Sequence, residues 1–478
     1  MIYRNRVMVV YVLGVFMTVI DATMVNVALP TLAEEFGVAS TDIEWVALGY
    51  LLALAAVIPA AGWMGDRFGT KRVFVTALTM FVAMSLLCGT AQSLSQLVFF
   101  RVLQGLGGGM VLPIGSAMLF RAFPLDARAR AAVGVISVAV IAPAIGPLVG
   151  GLLVDEVSWR WIFYINGPIG ALAIGLALAW LREEKQPAPG RFDLAGFVLS
   201  AAGVTLVLYA LSIGPVEGWT SPETLAIGLT GIVALVALVL VELTVDDPML
   251  ALRLYRNHLF RTVNIAAAMV YAGFFGLIFL LPLYMQTLRG FGAFESGLVQ
   301  SPQAVGIFLV SNLLGRRLYR LVGPRRLMVV GSAATATITC LYATAGLDTP
   351  VGAIAGLSLA RGLAVGLVFI SIQTAVYATT SNADTGRATS LFNTQRQFSY
   401  AFGVALAATV IAAGLADVGG DAAPAAERLS AYRWGFLACG LVMAPAAVVS
   451  WFVRDDDVAP TRGLQPTHAS PNAATAAG

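Results

Sequence analysis

The chain has 478 residues, of which 58% are hydrophobic and only 12% charged, with a net charge of +3. Soluble domains carry about 25% charged residues, so this composition excludes a soluble globular protein and points to an all-α polytopic membrane protein. The basic residues are scattered among short segments rather than clustered, so no nucleic-acid partner is implied.

A spanning helix needs about 20 mostly apolar residues. Runs of that kind occupy 7–29, 44–64, 73–90, 95–120, 128–154, 161–181, 192–212, 224–243, 262–288, 295–314, 326–347, 350–377, 386–415 and 432–453, fourteen in all. The first is too long for a signal peptide, contains Asp21 and leads straight into further spans, so it reads as a retained helix. Cys88, Cys340 and Cys439 sit inside apolar runs without ligand spacing and read as small core residues, with no metal site and no disulfide framework. Both histidines, His258 and His468, fall outside the spans.

Lys and Arg set the orientation. With both termini inside, 22 of the 29 basic residues are cytoplasmic, four are on the opposite side, and Arg101, Arg361 and Arg396 lie within spans. The chain also repeats itself weakly. GWMGDRFGTKR (Gly62 to Arg72) between runs 2 and 3 is echoed by LYRLVGPRR (Leu318 to Arg326) between runs 10 and 11. FRVLQGLGGGM around Arg101 in run 4 is echoed by LARGLAVGLVF around Arg361 in run 12. Two six-helix bundles follow, 1–181 and 262–453, with two inserted helices in the linker 182–261 and a disordered cytoplasmic tail, 454–478. Secondary transporters are commonly built from such repeats, with the site at the interface between them.

A carboxylate at membrane depth costs roughly 2.5–3.5 kcal/mol on insertion scales and is seldom kept without a use. Asp21 is the only one deep in any run, since Glu242 stands at a helix end and Glu295 at a boundary. Counted from Pro30, Asp21 lies ~13 Å deep, and Arg101 comes out at ~9 Å, so the two can pair directly or through water. A carboxyl balanced between burial and a guanidinium suits a proton carrier; the alternative is a fixed brace between helices. Thr23, Asn26 and Gln104 either serve that site or glue helices together. Arg361 and Arg396 have no matching acid in their half and read as scaffold first, substrate contacts second. A cavity with two arginines and one aspartate favours neutral or anionic compounds over dications. Phe274, Phe275, Tyr284, Phe369, Tyr377 and Phe398 are candidates for its aromatic walls. GLGGGM (Gly105 to Met110) follows no strand and sits inside a span, which excludes a nucleotide loop.

These residues together resemble the fourteen-helix drug:proton antiporter branch of the major facilitator superfamily, from the first span to the last. DATMVNVALP (Asp21 to Pro30) resembles that branch's helix 1 motif. The loop signature is matched at Gly62, Asp66, Arg67, Gly69, Lys71 and Arg72, and the helix 4 motif at Arg101, Gln104 and Gly105. APAIGPLVGG resembles the helix 5 antiporter motif at Gly146, Pro147, Gly150 and Gly151, with Ala142 in place of its first glycine. WRWIFYINGPIG, LPLYMQ and FNTQRQ are similar to the branch as well. Relatives that export dicationic compounds carry a carboxylate in the tenth span, and this chain has none; in its second loop motif Arg320 falls where the first copy has Asp66.

The resemblance implies an exporter rather than an enzyme: a multidrug efflux antiporter in the bacterial cytoplasmic membrane, working by alternating access. It needs no cofactor, since the proton gradient is the driving force; its partners are protons, a small-molecule substrate and membrane lipids, with no obligatory protein partner evident. The loop motif is expected to latch the rocking motion, Asp66 pairing with Arg121, Arg128 or Arg130 or capping a neighbouring helix end. The helix 5 glycines are expected to form a packed hinge between the halves. The alternatives are uptake or export of one endogenous metabolite or lipid, and a non-transport membrane scaffold.

Overall fold

A computed structural model describes residues 2–38, 40–185, 190–245, 248, 250–381, 384–418 and 423–462. They contain no strand. The long helices are α1 (Tyr3–Phe36), α2 (Trp45–Phe68), α3 (Thr70–Gly89), α4 (Leu94–Ala122), α5 (Arg128–Glu156), α6 (Asn166–Trp180) and α7 (Leu194–Glu217). They continue with α8 (Pro222–Thr244), α9 (His258–Leu283), α10 (Ala293–Leu309), α11 (Pro324–Leu341), α12 (Val351–Ala375), α13 (Thr385–Asp417) and α14 (Ala425–Met443). A short α15 (Asp455–Arg462) follows. Thirteen segments among the described residues are long and apolar enough to cross a membrane, and α5 fills the place of the remaining expected run.

Helix ends are written in the sequence. Ser93, Asp193, Ser221 and Asn257 accept from backbone N–H groups three residues on, satisfying donors that the first turn of a helix leaves orphaned. Glu295 Oε2 accepts from the Gly292 backbone N–H (3.1 Å) at the start of α10, which keeps it at the boundary. The two loop motifs turn alike: Gly69 (φ 100) joins α2 to α3, and Gly323 (φ 87) joins the short helix Gly315–Val322 to α11, conformations that a side chain would strain.

Packing follows the repeat. In the first half α4 lies against α2 and α3, and α1 against α5 and α6; in the second, α12 lies against α10 and α11, and α9 against α13 and α14. The halves meet where α2 crosses α13 and where α5 meets α10 and α12. The inserted α7 and α8 pair with each other, and α7 covers the α2–α13 seam.

Three expectations are corrected. α1 does not stop at Pro30 but runs to Phe36, its last polar turns ending at Gly37 with φ 62. The last span starts at Ala425 rather than 432, because Tyr432 packs inside against Tyr284. Residues 455–462 of the expected disordered tail form α15: Val458 and Thr461 are buried, and Tyr319 and Thr461 hydroxyls lie 2.8 Å apart. Burial pushes the Tyr319 hydroxyl above its usual range against the opposing pull of the Thr461 hydrogen bond, so it stays neutral. Residues 463–478, including His468, lie outside the described residues.

Candidate functional site

Asp21 has no solvent exposure and neither has its partner shell. Arg101 Nη1 donates to Asp21 Oδ2 at 2.6 Å, while Gln104 Nε2 (3.0 Å) and Asn166 Nδ2 (2.7 Å) donate to Oδ1. Arg101 also donates to Gln104 Oε1 (2.8 Å) and, through Nε, to the Val46 carbonyl (3.1 Å), with its guanidinium 4.1 Å from the Tyr50 ring centre. Asn166 is shared with Ser85, whose hydroxyl donates to the Phe163 carbonyl. One carboxylate thus ties α1 to α4 and α6, by the direct pairing that the depth argument allowed.

Small residues make these approaches. A Cβ at Gly105 would stand 2.4 Å from the Tyr50 carbonyl, so only glycine lets α4 come close enough to α2 for Arg101 to reach Val46. A Cβ at Gly146 would stand 1.9 Å from Thr23 Oγ1, and one at Gly150 would meet the Met24 backbone at 3.1 Å. The expectation of a hinge between halves is therefore corrected for these glycines: they seat α5 on α1 within the first half. Gly151 meets nothing, and the side chain of Pro147 lies outside the described residues.

Of the proposed companions of Asp21, only Gln104 joins it. Thr23 donates to the Ile20 carbonyl of its own helix (2.9 Å), and Asn26, little more than one turn beyond Asp21, is exposed. Sequence reasoning missed Asn166 and Ser85, although a polar amide inside the sixth apolar run was a signal. Glu242 stands at its helix end and is buried there, with Oε1 accepting from the Leu250 backbone N–H at 2.9 Å.

In the second half Arg361 occupies the place of Arg101 but has no acid. Its Nε donates to Thr339 Oγ1 (3.0 Å), its Nη2 to the Phe274 carbonyl (3.2 Å) and its Nη1 to Gln303 Oε1. Every nitrogen is matched by a neutral acceptor and the side chain is fully buried, a scaffold arrangement. Arg396 on α13 is half-buried and lies within electrostatic reach of the Tyr11, Tyr271 and Tyr377 hydroxyls. Phe274, Phe275, Phe369 and Tyr377 join one aromatic cluster through Tyr271, Phe392 and Tyr400. Tyr284 does not: its hydroxyl donates to the Gly346 carbonyl (2.7 Å) at the end remote from the termini. Phe398 packs instead towards Val204 and Leu208 of the inserted α7.

At the end of the molecule that carries both termini, the loop motif touches the second half. Of the three candidate bases Asp66 takes Arg121, at 2.8 Å; Arg128 instead donates to the Tyr377 carbonyl, and the side chain of Arg130 lies outside the described residues. Gly62 packs on the first turn of α13, where its Cβ would stand 2.7 Å from the Gly386 carbonyl, and a Cβ at Gly386 would stand 3.1 Å from Asp66 Oδ2. Asp66 so lies at the α13 N-terminus, where the helix dipole favours negative charge. Phe120 and Tyr377 rings close the same end at 4.6 Å. Lys71 Nζ caps the Leu178 carbonyl of α6 (2.7 Å), while Arg67 is exposed and Arg72 faces Glu183 at 3.6 Å on the surface.

Comparison with known proteins agrees with this architecture. The Major Facilitator Superfamily pattern matches residues 11–404. The chain is 31% identical over 93% of its length, and 93% of the relative's, to the putative multidrug resistance protein MdtD of Cronobacter sakazakii. It is 32% identical to the multidrug export protein EmrB of Haemophilus influenzae, covering 82% of this chain and 78% of that one. The fold is shared with the human organic anion transporter MFSD10, at a TM-score of 0.66 and 14% identity over 92% of this chain and 99% of that one. Two helical bundles tied by repeated loop motifs, with the family pattern running through both, make this multi-pass membrane protein a member of the Major Facilitator Superfamily.

Proposed function

We propose that the protein exports lipophilic small molecules in exchange for protons, by alternating access, with both termini in the cytoplasm of a bacterium. The observation that carries this reading is the buried carboxylate of Asp21 held by Arg101, Gln104 and Asn166. Ionised, it joins α1 to α4 by a charge-assisted bond in a site that water does not reach. Protonated, it offers Arg101 one weaker acceptor, so the grip on α1 loosens. A proton taken from outside would thereby free α1 to move as substrate leaves, and its release inside would restore the tie as the next substrate arrives. One charge moved through 100 mV is worth about 2.3 kcal/mol, so one proton supports a useful gradient. Contact of α2 with α13 at the termini end supports a conformation closed to the cytoplasm. Relatives named for multidrug export support the substrate range. No nucleotide-binding segment is evident in the sequence, and the proton gradient is the driving force in this reading.

A second reading has a specific observation behind it. Asp21 is wholly sealed and both its oxygens are occupied, as a permanent brace would be. Proteoliposomes separate the two. With Asp21→Asn, pH-driven export should vanish while exchange of labelled for unlabelled substrate, which needs no net proton movement, continues. Loss of exchange along with pH-driven export would establish the brace; unchanged coupling would put the proton site elsewhere.

A further inference from the structure

Arg101, Arg361 and Arg396 stand near the middle of their spans, and two of them are spent. Arg101 serves Asp21, Gln104 and Val46, and Arg361 serves Thr339, Gln303 and Phe274. Arg396 is different: among the described residues it makes no hydrogen bond and belongs to none of the ion pairs. Arg396 is half-buried, and α13, which carries it, packs on α2 and α4 of the first half and on α9 of its own. Its charge bears on the buried hydroxyls of Tyr11 on α1, Tyr271 on α9 and Tyr377 just past α12, so Arg396 stands at the junction of the two halves. A guanidinium at membrane depth needs water, a carbonyl or an anion, and here the protein supplies none of its own.

Above Arg396 an apolar wall begins. Tyr400, one turn along the same face of α13, meets Phe275 edge to face at 4.7 Å. Phe275 leads to Phe274 at 5.2 Å, and Phe274 to Phe369 at 5.0 Å. The only carboxylate deep in the first half, Asp21, is sealed behind Arg101 and does not offset the charge. A cation at one end of an aromatic surface matches one ligand chemistry, an apolar body bearing a single negative head.

We propose that Arg396 anchors the anionic head of an amphipathic substrate, such as a lipophilic carboxylate, whose body lies along Tyr400 and Phe275, the partly exposed rings of this wall. This rests on the exporter reading but is tested without a gradient, so the two can fail separately. The full-length protein in phosphatidylcholine nanodiscs is titrated with radiolabelled 4-(1-pyrenyl)butyrate and with its primary amide, identical except for the charge. A charge-assisted bond is worth about 1.5–3 kcal/mol, so the carboxylate should bind at least roughly tenfold more tightly. Arg396→Gln should erase that ratio, leaving the amide's affinity in place, and Arg396→Lys should keep part of it, since the charge stays but the fork is lost. Equal affinity of the wild-type protein for the two probes would overturn the proposal whether or not any variant folds, and so would a ratio that survives in a folded Arg396→Gln. Adding phosphatidylglycerol identifies the source of the anion: competition assigns the anchor to a lipid, and its absence to a diffusible compound.

Discussion

Asp21 and Arg361 show what a single acid changes. Arg101 and Arg361 stand at corresponding places of the two halves, but one faces a carboxylate and the other an amide, a hydroxyl and a carbonyl. The first arrangement sets a charge against a charge; the second sets a charge against neutral acceptors alone. Removing one partner of a buried pair typically costs 3–5 kcal/mol, because the other charge is left uncompensated. Asp21→Asn should therefore lower thermal stability by that order, and the double variant Asp21→Asn/Arg101→Gln should recover most of it without recovering pH-driven transport, as melting and flux measurements would read. The pairing was legible in the sequence because both residues are conspicuous in apolar runs. The shell was less so: Asn166 and Ser85 are ordinary polar residues whose role depends on α6 bringing Asn166 to Asp21 and α3 bringing Ser85 to Asn166. Asn26 is as polar and far nearer to Asp21 in sequence, yet it faces outward. Period alone could not separate them, since α1 is apolar nearly all round.

Among the elements, glycine spacing was easier to find than to assign. Gly146 and Gly150 are four apart and so share a face, which the sequence states; that the face belongs to α1 rather than to the other half is decided by the packing. Because Thr23 is two residues from Asp21, the α5–α1 contact also sets how far α1 reaches towards Arg101. Gly146→Ala should overpack this contact, costing about 1–3 kcal/mol and weakening transport, whereas Gly151→Ala, facing open space, should leave both the melting midpoint and the flux unchanged. The helix boundaries failed for related reasons. Composition marks where hydrocarbon ends and not where hydrogen bonding ends, so α1 continues through the polar TLAEEF turns after Pro30. A short tail rich in Pro, Ala, Ser and Thr reads as disorder, and the structure makes of its first part a helix seated on Tyr319.

At the scale of the whole molecule, the repeat was visible through two loop motifs and two arginines, and the bundle architecture follows from it. What joins the halves was visible only in part. Gly62 and Asp66 are motif residues, but their neighbour, the first turn of α13, lies more than 300 positions later in the chain. A methyl group at Gly62 would press on a backbone carbonyl that cannot rotate away. Gly62→Ala should thus part α2 from α13, and spin labels on the facing ends of these helices should report a longer distance in the variant, with slower transport. An unchanged distance distribution would show that the contact yields without moving the helices.

The placement of α15 bears on how such a protein is handled. It rests against α11 and α12 of one half and against the turn Leu125–Ala127 of the other, and Arg462 donates to the Arg320 carbonyl at 3.0 Å. Any reporter fused directly behind Arg462 is therefore tethered to a segment that both bundles touch. A purification tag joined there without a spacer would pull on the moving parts, while a small fluorophore at the same point would register each turnover as a change in its surroundings.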